Sequence, residues 1–136
     1  TLTVTIKQKQ AIAIWDNTAL LLKNATIFYP VDTTFPPNIP SFVGPSGQQK
    51  IVINMFDDMS KKLANSHLQI TTITLSSEGV WQLTLNDKTV VMLGDNDILA
   101  RLERFIEVNR QQFEAKQEMP TYVDMRYNHG LAVKWD

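Results

Sequence analysis

The chain has 136 residues, 13 Lys+Arg against 14 Asp+Glu, and a net charge of −1, with 43% apolar and 20% charged residues. These are the proportions of one folded domain, and the charge balance argues against a phosphate-held nucleic-acid binder or a polybasic membrane patch. Cysteine is absent, which removes disulfides, thiolate metal sites and thiol nucleophiles, and no apolar run reaches the roughly 18 residues of a bilayer span.

Residues Thr1 to Lys7 alternate Leu2, Val4 and Ile6 with polar residues, the pattern of a half-buried strand. The chain opens inside that pattern, on threonine, and reads as a piece of a longer protein. Ala11 to Trp15 is a second β-like run, and Leu20–Leu22 with Thr26–Phe28 form a hairpin around Lys23-Asn24-Ala25. Between Pro30 and Pro45 five prolines exclude helix and predict an extended loop, anchored by Val31, Phe35, Ile39, Phe42 and Val43.

Ser46 and Gln49 have capping-box spacing. Beyond them Val52, Met55, Phe56, Met59 and Leu63 recur at helical steps on one face. Leu68 to Leu75 alternates but changes phase at Thr71-Thr72, which predicts a β-bulge. Trp81, Leu83 and Leu85 share one face of the next strand. Asn86-Asp87-Lys88 is a hairpin turn, and Thr89 to Leu93 is the partner strand.

Gly94-Asp95-Asn96-Asp97 turns the chain and caps a second helix from about Ile98 to Lys116. Its apolar stripe is Ile98, Leu102, Phe105, Ile106 and Phe113. Glu103, Arg104, Glu107 and Arg110 form its solvated face. After Pro120, Tyr122 to Tyr127 and Leu131 to Trp135 are strands joined by Asn128-His129-Gly130. The predicted class is α+β: a curved antiparallel sheet with two amphipathic helices on one face.

Little here carries catalytic chemistry. His67 and His129 are the only histidines and neither has a ligand-spaced partner. Adjacent residues on a helix point about 100° apart, so Asp57-Asp58 cannot share a proton. No Gly-x-Ser-x-Gly elbow or dinucleotide fingerprint occurs, and Gly44-Pro45-Ser46-Gly47 lacks the Gly-Lys-Ser/Thr of a phosphate loop. The aromatic-rich last strand is either interior or an edge. As an edge it would expose backbone groups able to recruit a partner strand.

The segment Tyr122-Val-Asp-Met-Arg-Tyr-Asn-His-Gly-Leu-Ala-Val-Lys-Trp135 resembles the C-terminal signature of the FtsQ/DivIB cell-division family. Ile39-Pro-Ser-Phe-Val-Gly-Pro-Ser-Gly47, Trp81-Gln-Leu-Thr-Leu-Asn86 and Arg101-Leu-Glu-Arg-Phe105 resemble three further family blocks, in the same order. Leu2 to Trp15 resembles the end of an upstream POTRA domain and the entry to a β domain. The resemblance implies a boundary: residues 1–8 as the last POTRA strand, 9–136 as the FtsQ-type β domain.

It further implies a non-enzymatic divisome scaffold, without cofactor or metal, in the periplasm. The parent would be a single-pass protein of the bacterial inner membrane, anchored by an N-terminal helix. Its implied partners are FtsB and FtsL, docked on the last strand, with this piece monomeric in solution and no nucleic-acid partner. By position the resemblance implies binding roles for Tyr127, Gly130 and Val133, with Arg126 beside them; Leu131 to Trp135 would supply the ladder, and His129, also a candidate contact, stands in a turn slot that the family often fills with Ser or another small polar residue. Tyr127 would be a rigid anchor, Gly130 would admit a close backbone, and Arg126 would hold an acidic partner side chain. Trp135 is either a contact or a core residue. Family members often carry arginine just before the Trp81 strand; Glu78 stands in that segment here. The competing reading is a small α+β hydrolase or ligand-binding domain using His67 and His129 with a nearby Asp.

Overall fold

The structure is a computed structural model that describes residues 11–30 and 35–135. The strand expected at Thr1–Lys7, the proposed POTRA remnant at 1–8 and the anchor Val31 lie outside the described residues.

The described strands are β1 (Ala11–Trp15), β2 (Ala19–Leu22), β3 (Ile27–Phe28), β4 (Ser41–Val43), β5 (Ile70–Leu75), β6 (Trp81–Leu85), β7 (Val90–Gly94), β8 (Tyr122–Asp124) and β9 (Ala132–Lys134). Helix α1 (Gln49–Leu63) joins β4 to β5, and α2 (Ile98–Val108) leads from β7 towards β8. The class is α+β. The strands form one sheet in the order β3-β2-β1-β4-β5-β6-β7-β8-β9.

The sheet is mixed and not antiparallel throughout. β4 runs parallel to both β1 and β5, and β8 runs parallel to β7. At two of these joins the reason is connective: a helix lies between β4 and β5 and another between β7 and β8, and a parallel pair needs such a crossover. The other pairings are antiparallel.

β4 also corrects the loop expected over Pro30–Pro45. Pro40 and Pro45 flank the strand without entering it, so its N–H groups remain available. Phe42 pairs with Trp15 on one side and Ile73 on the other. The Pro40 carbonyl accepts from the Ile14 N–H at 2.9 Å and the Phe42 carbonyl from Asp16 at 2.8 Å. Three residues are too short to display alternation, so the neighbours decide the conformation.

One face of the sheet is apolar. Ile73 and Leu75 of β5, Trp81, Leu83 and Leu85 of β6, and Val91 and Leu93 of β7 are buried there. Thr72, Thr74, Gln82 and Thr84 occupy the intervening half-exposed positions. The register of β5 on β6 shifts between Ile70 and Thr72, the bulge that the phase change predicts. The helices cover the apolar face. α1 buries Val52, Ile53, Met59 and Leu63; α2 buries Ile98, Leu102 and Phe105. α1 packs on β5, α2 on β7, and each helix on the other. Lys62 of α1 and Glu103 of α2 form an ion pair across that contact.

Neither cap is built as the spacing suggests. Gly47 has φ +86° and the Gln48 N–H returns to the Pro45 carbonyl, so a turn delays α1 to Gln49 and Gln48 becomes its N-cap. Asp97 does sit at the N-cap of α2, but in the left-handed region at φ 51° and without a side-chain capping bond. Its charge still suits the helix N-terminus.

Beyond Val108 the second helix changes gauge. Asn109–Glu114 is a π-helical segment, in which buried Asn109 donates its Nδ2 to Glu114 Oε1 at 3.0 Å. The wider turn brings Phe113 to the inner side of the last hairpin, where it is buried.

Candidate functional site

Among the described residues β9 ends the sheet. It pairs with β8 through Tyr122↔Lys134, Val123↔Val133 and Asp124↔Ala132. The Lys134 carbonyl accepts from Thr121 twice, from the N–H at 2.9 Å and from Oγ1 at 3.0 Å. No described strand lies on the other side of β9, so its outward backbone groups face no ladder. Both strands are shorter than their patterns predict: β8 stops at Asp124 and β9 covers only Ala132–Lys134.

The inner face of the hairpin is apolar. Leu131 and Val133 pack partly buried against the core. With Trp135, Val108 and Phe113 they line a groove of about 280 Å³, to which Lys116 and Glu118 also contribute. Trp135 meets Phe113 edge-on, with ring centroids 5.9 Å apart and planes at 85°. It is nevertheless 49% exposed, so it is at once a packing residue and an accessible one. Tyr127 is 53% exposed, and His129 and Gly130 lie beside it in the exposed turn.

A charged pair anchors the start of that turn. Arg126 grips buried Asp124 with two parallel bonds, Nε to Oδ1 at 2.9 Å and Nη2 to Oδ2 at 2.7 Å, and its backbone N–H adds a third to Oδ1 at 3.0 Å. The Arg126 guanidinium bonded to the Asp124 carboxylate holds it below the usual carboxylate range, against the upward push of burial. The same bond keeps Arg126 more firmly charged. At Tyr122 burial, followed by the charge of Asp124, pushes the phenol up.

Asp124 contributes an acid limb to stability. A carboxylate whose folded pKa lies below its unfolded value of about 3.8 stabilises fully above that value and loses its contribution as pH falls through the folded pKa. Thermal melts should therefore fall more steeply below about pH 4 for the native chain than for Asp124→Asn. Identical acid limbs for the two chains would remove Asp124 as the source.

Gly94, at the end of β7, holds this corner open. Its φ is +87°, and a Cβ there would lie 2.6 Å from Arg101 Nη1 and 3.0 Å from Arg126 Cγ. Gly130 is different: a Cβ would meet nothing within 4 Å. The chain's own packing places no demand for glycine at 130.

Arg104 corrects the sequence reading. The charge pattern assigns it to the solvated face of α2, yet it is only half-exposed and faces the turn. Its Nη1 donates to the Asn128 carbonyl at 3.0 Å. Its Nη2 donates to those of Met125, Tyr127 and Gly130 at 3.1, 2.6 and 3.2 Å. Arg101, one turn earlier, donates to the carbonyls of Leu93 at 2.6 Å and Arg126 at 3.2 Å. Asp124, Phe113 and these two arginines were not among the candidates. The sequence carried Phe113 in the apolar stripe, Asp124 in the C-terminal segment and the arginines in the block Arg101–Phe105, but gave none of them a part in the site.

The structure thus brings Arg126, Tyr127, His129, Gly130, Leu131, Val133 and Trp135 together on one hairpin at one sheet edge. The histidines are not brought into a shared centre. His67 lines a groove with Lys62, Arg110 and Glu114 between the helices, whereas His129 is in the exposed turn. Among the described residues no group of three His, Asp or Glu side chains is placed to hold a metal ion.

Sequence comparison fits this geometry. A family model described as cell division protein FtsQ/DivIB, C-terminal, matches residues 13–126. The chain belongs to the FtsQ/DivIB family of cell-division proteins. The match runs from β1 to Arg126 and stops just before the turn and β9. Individual FtsQ relatives align further. The cell division protein FtsQ of Coxiella burnetii is 33% identical over 134 residues, covering 98% of this chain and 55% of the relative. That of Vibrio cholerae is 31% identical over 135 residues, covering 99% and 52%. That of Escherichia coli is 31% identical over 128 residues, covering 91% and 46%. The chain spans about half the length of the curated FtsQ relatives it matches.

Proposed function

We propose that this chain is the periplasmic β domain of a non-enzymatic divisome scaffold, and that it binds the FtsB–FtsL pair by accepting a partner strand on β9. The observation that carries the reading is the open edge itself. Among the described residues β9 has a neighbour strand on one side only, and exposed aromatic residues, Tyr127 and Trp135, flank it. A strand added there would gain main-chain hydrogen bonds from β9 and side-chain contacts from the flanking rings.

Each candidate residue has a part in this reading. Tyr127 supplies apolar area at low entropic cost. Gly130, free of internal crowding, lets the partner backbone approach. Leu131, Val133 and Trp135 extend the apolar face under the incoming strand. The fork of Arg126 is already engaged by Asp124, so an acidic partner group would meet its remaining Nη1; His129 stands beside it. The parent would reach the inner membrane through an anchor outside this chain; no helix among the described residues is long and apolar enough to cross a membrane.

Amide hydrogen exchange of the chain, alone and with a peptide of the periplasmic part of FtsB, tests the reading. Protection gained at Leu131–Trp135 is the expected result. Protection confined to another edge, or none at a peptide concentration that saturates binding, would rule out strand addition at β9.

A further inference from the structure

We infer that Arg104 is a positioning residue of the docking edge: from behind the sheet it fixes the Met125–Gly130 turn in the shape that presents Tyr127 and β9. The inference rests on the docking reading above and assigns that site a residue which contacts no partner.

The turn needs such support. A two-residue hairpin closes on its own backbone bonds; here the connection between β8 and β9 runs from Met125 to Leu131. The Met125 N–H reaches back to the Met92 carbonyl and the Arg126 N–H to Asp124, both at the entrance of the turn. Further along, the carbonyls of Tyr127, Asn128 and Gly130 converge on one guanidinium, together with that of Met125. Arg101 holds the carbonyl of Arg126 between them. Two side chains one turn apart on α2 thereby hold five carbonyls of a segment that has no ladder of its own.

Only arginine fits this task. Its rigid planar fork presents several donors at fixed angles. Lysine would bring a compact point charge with mobile donors. The Arg104 Nε is buried and, among the described residues, has no hydrogen-bond partner. Both terminal nitrogens are engaged by carbonyls of the turn. Holding the turn rigid before encounter removes part of the ordering cost of association.

The test uses Arg104→Ala and Arg104→Lys, with three readouts: unfolding followed by tryptophan fluorescence, amide exchange residue by residue, and calorimetric affinity for the FtsB peptide. For Arg104→Ala, exchange should quicken at residues 126–131 while the amides of β5 and β6 keep their protection, and affinity should fall about tenfold, the scale of one lost charge-assisted contact set. Arg104→Lys should lie between the two. Unchanged exchange at 126–131 would overturn the inference. So would native affinity in Arg104→Ala when Tyr127→Ala has lost it. Failure of both arginine variants to fold would make Arg104 a residue of the core and equally overturn the positioning role. If Tyr127→Ala binds as tightly as the native chain, or the native chain does not bind, the docking reading fails instead, and exchange at 126–131 alone decides the clamp.

Discussion

Phe42→Ala is expected to destabilise the domain by about 3–5 kcal/mol, the usual range for a buried phenylalanine in a core. Phe42 is 1% exposed and sits in β4 between β1 and β5. Its ring lies 4.9 Å from that of Phe56 on α1, tilted by 48°. It therefore joins both halves of the sheet to the first helix. Alanine would leave a cavity that three strands and a helix surround, and β4 is too short to collapse into it without losing its own pairing. Against a typical domain stability of about 5–15 kcal/mol, a marginal domain would keep only about 0–2 kcal/mol, and up to about half of its molecules would be unfolded. Urea unfolding followed by tryptophan fluorescence measures the change; Trp15 and Trp81 are both buried reporters. A loss below about 1 kcal/mol would show that β4 does not tie the two halves together.

Tyr127→Ala is expected to do the opposite: little to stability and much to binding. At 53% exposure the side chain contributes little to the fold, and substitutions at such positions usually stay within about 0.5 kcal/mol. A central aromatic anchor is worth about 2 kcal/mol or more at an interface, roughly a thirtyfold loss of affinity. Tyr127→Phe should keep most of the affinity, because in this reading the ring carries the contact. Calorimetry with the FtsB peptide separates the cases. Equal affinity in Tyr127→Ala and the native chain would move the partner away from this hairpin.

The two substitutions differ because the parts of the fold they touch were encoded differently. Trp81, Leu83 and Leu85 alternate over five residues, and Val52, Met59 and Leu63 recur at helical steps. Such patterns are local consequences of which side chains meet the apolar face, so they are visible without a neighbour. The same holds for the hairpins β2–β3 and β6–β7, and for the bulge at Thr71-Thr72. Gathering the candidate residues on one terminal hairpin was likewise legible, because they are consecutive in sequence.

What remained hidden depends on distant partners. β4 has only three residues and becomes a strand because β1 and β5 supply its hydrogen bonds. Both crossover helices were legible, but which strands they set side by side, and so the parallel pairings, was decided by the fold. Arg104 binds backbone carbonyls, and every residue carries a carbonyl, so nothing in the sequence marks the turn as its ligand. The sequence determined the order, faces and amphipathic character of the elements and the family to which they belong. Only the tertiary structure decided that β9 ends the sheet among the described residues and that arginines of α2 bond the carbonyls of its turn, because edges and backbone contacts are properties of chain segments brought together by folding and carry no periodicity of their own.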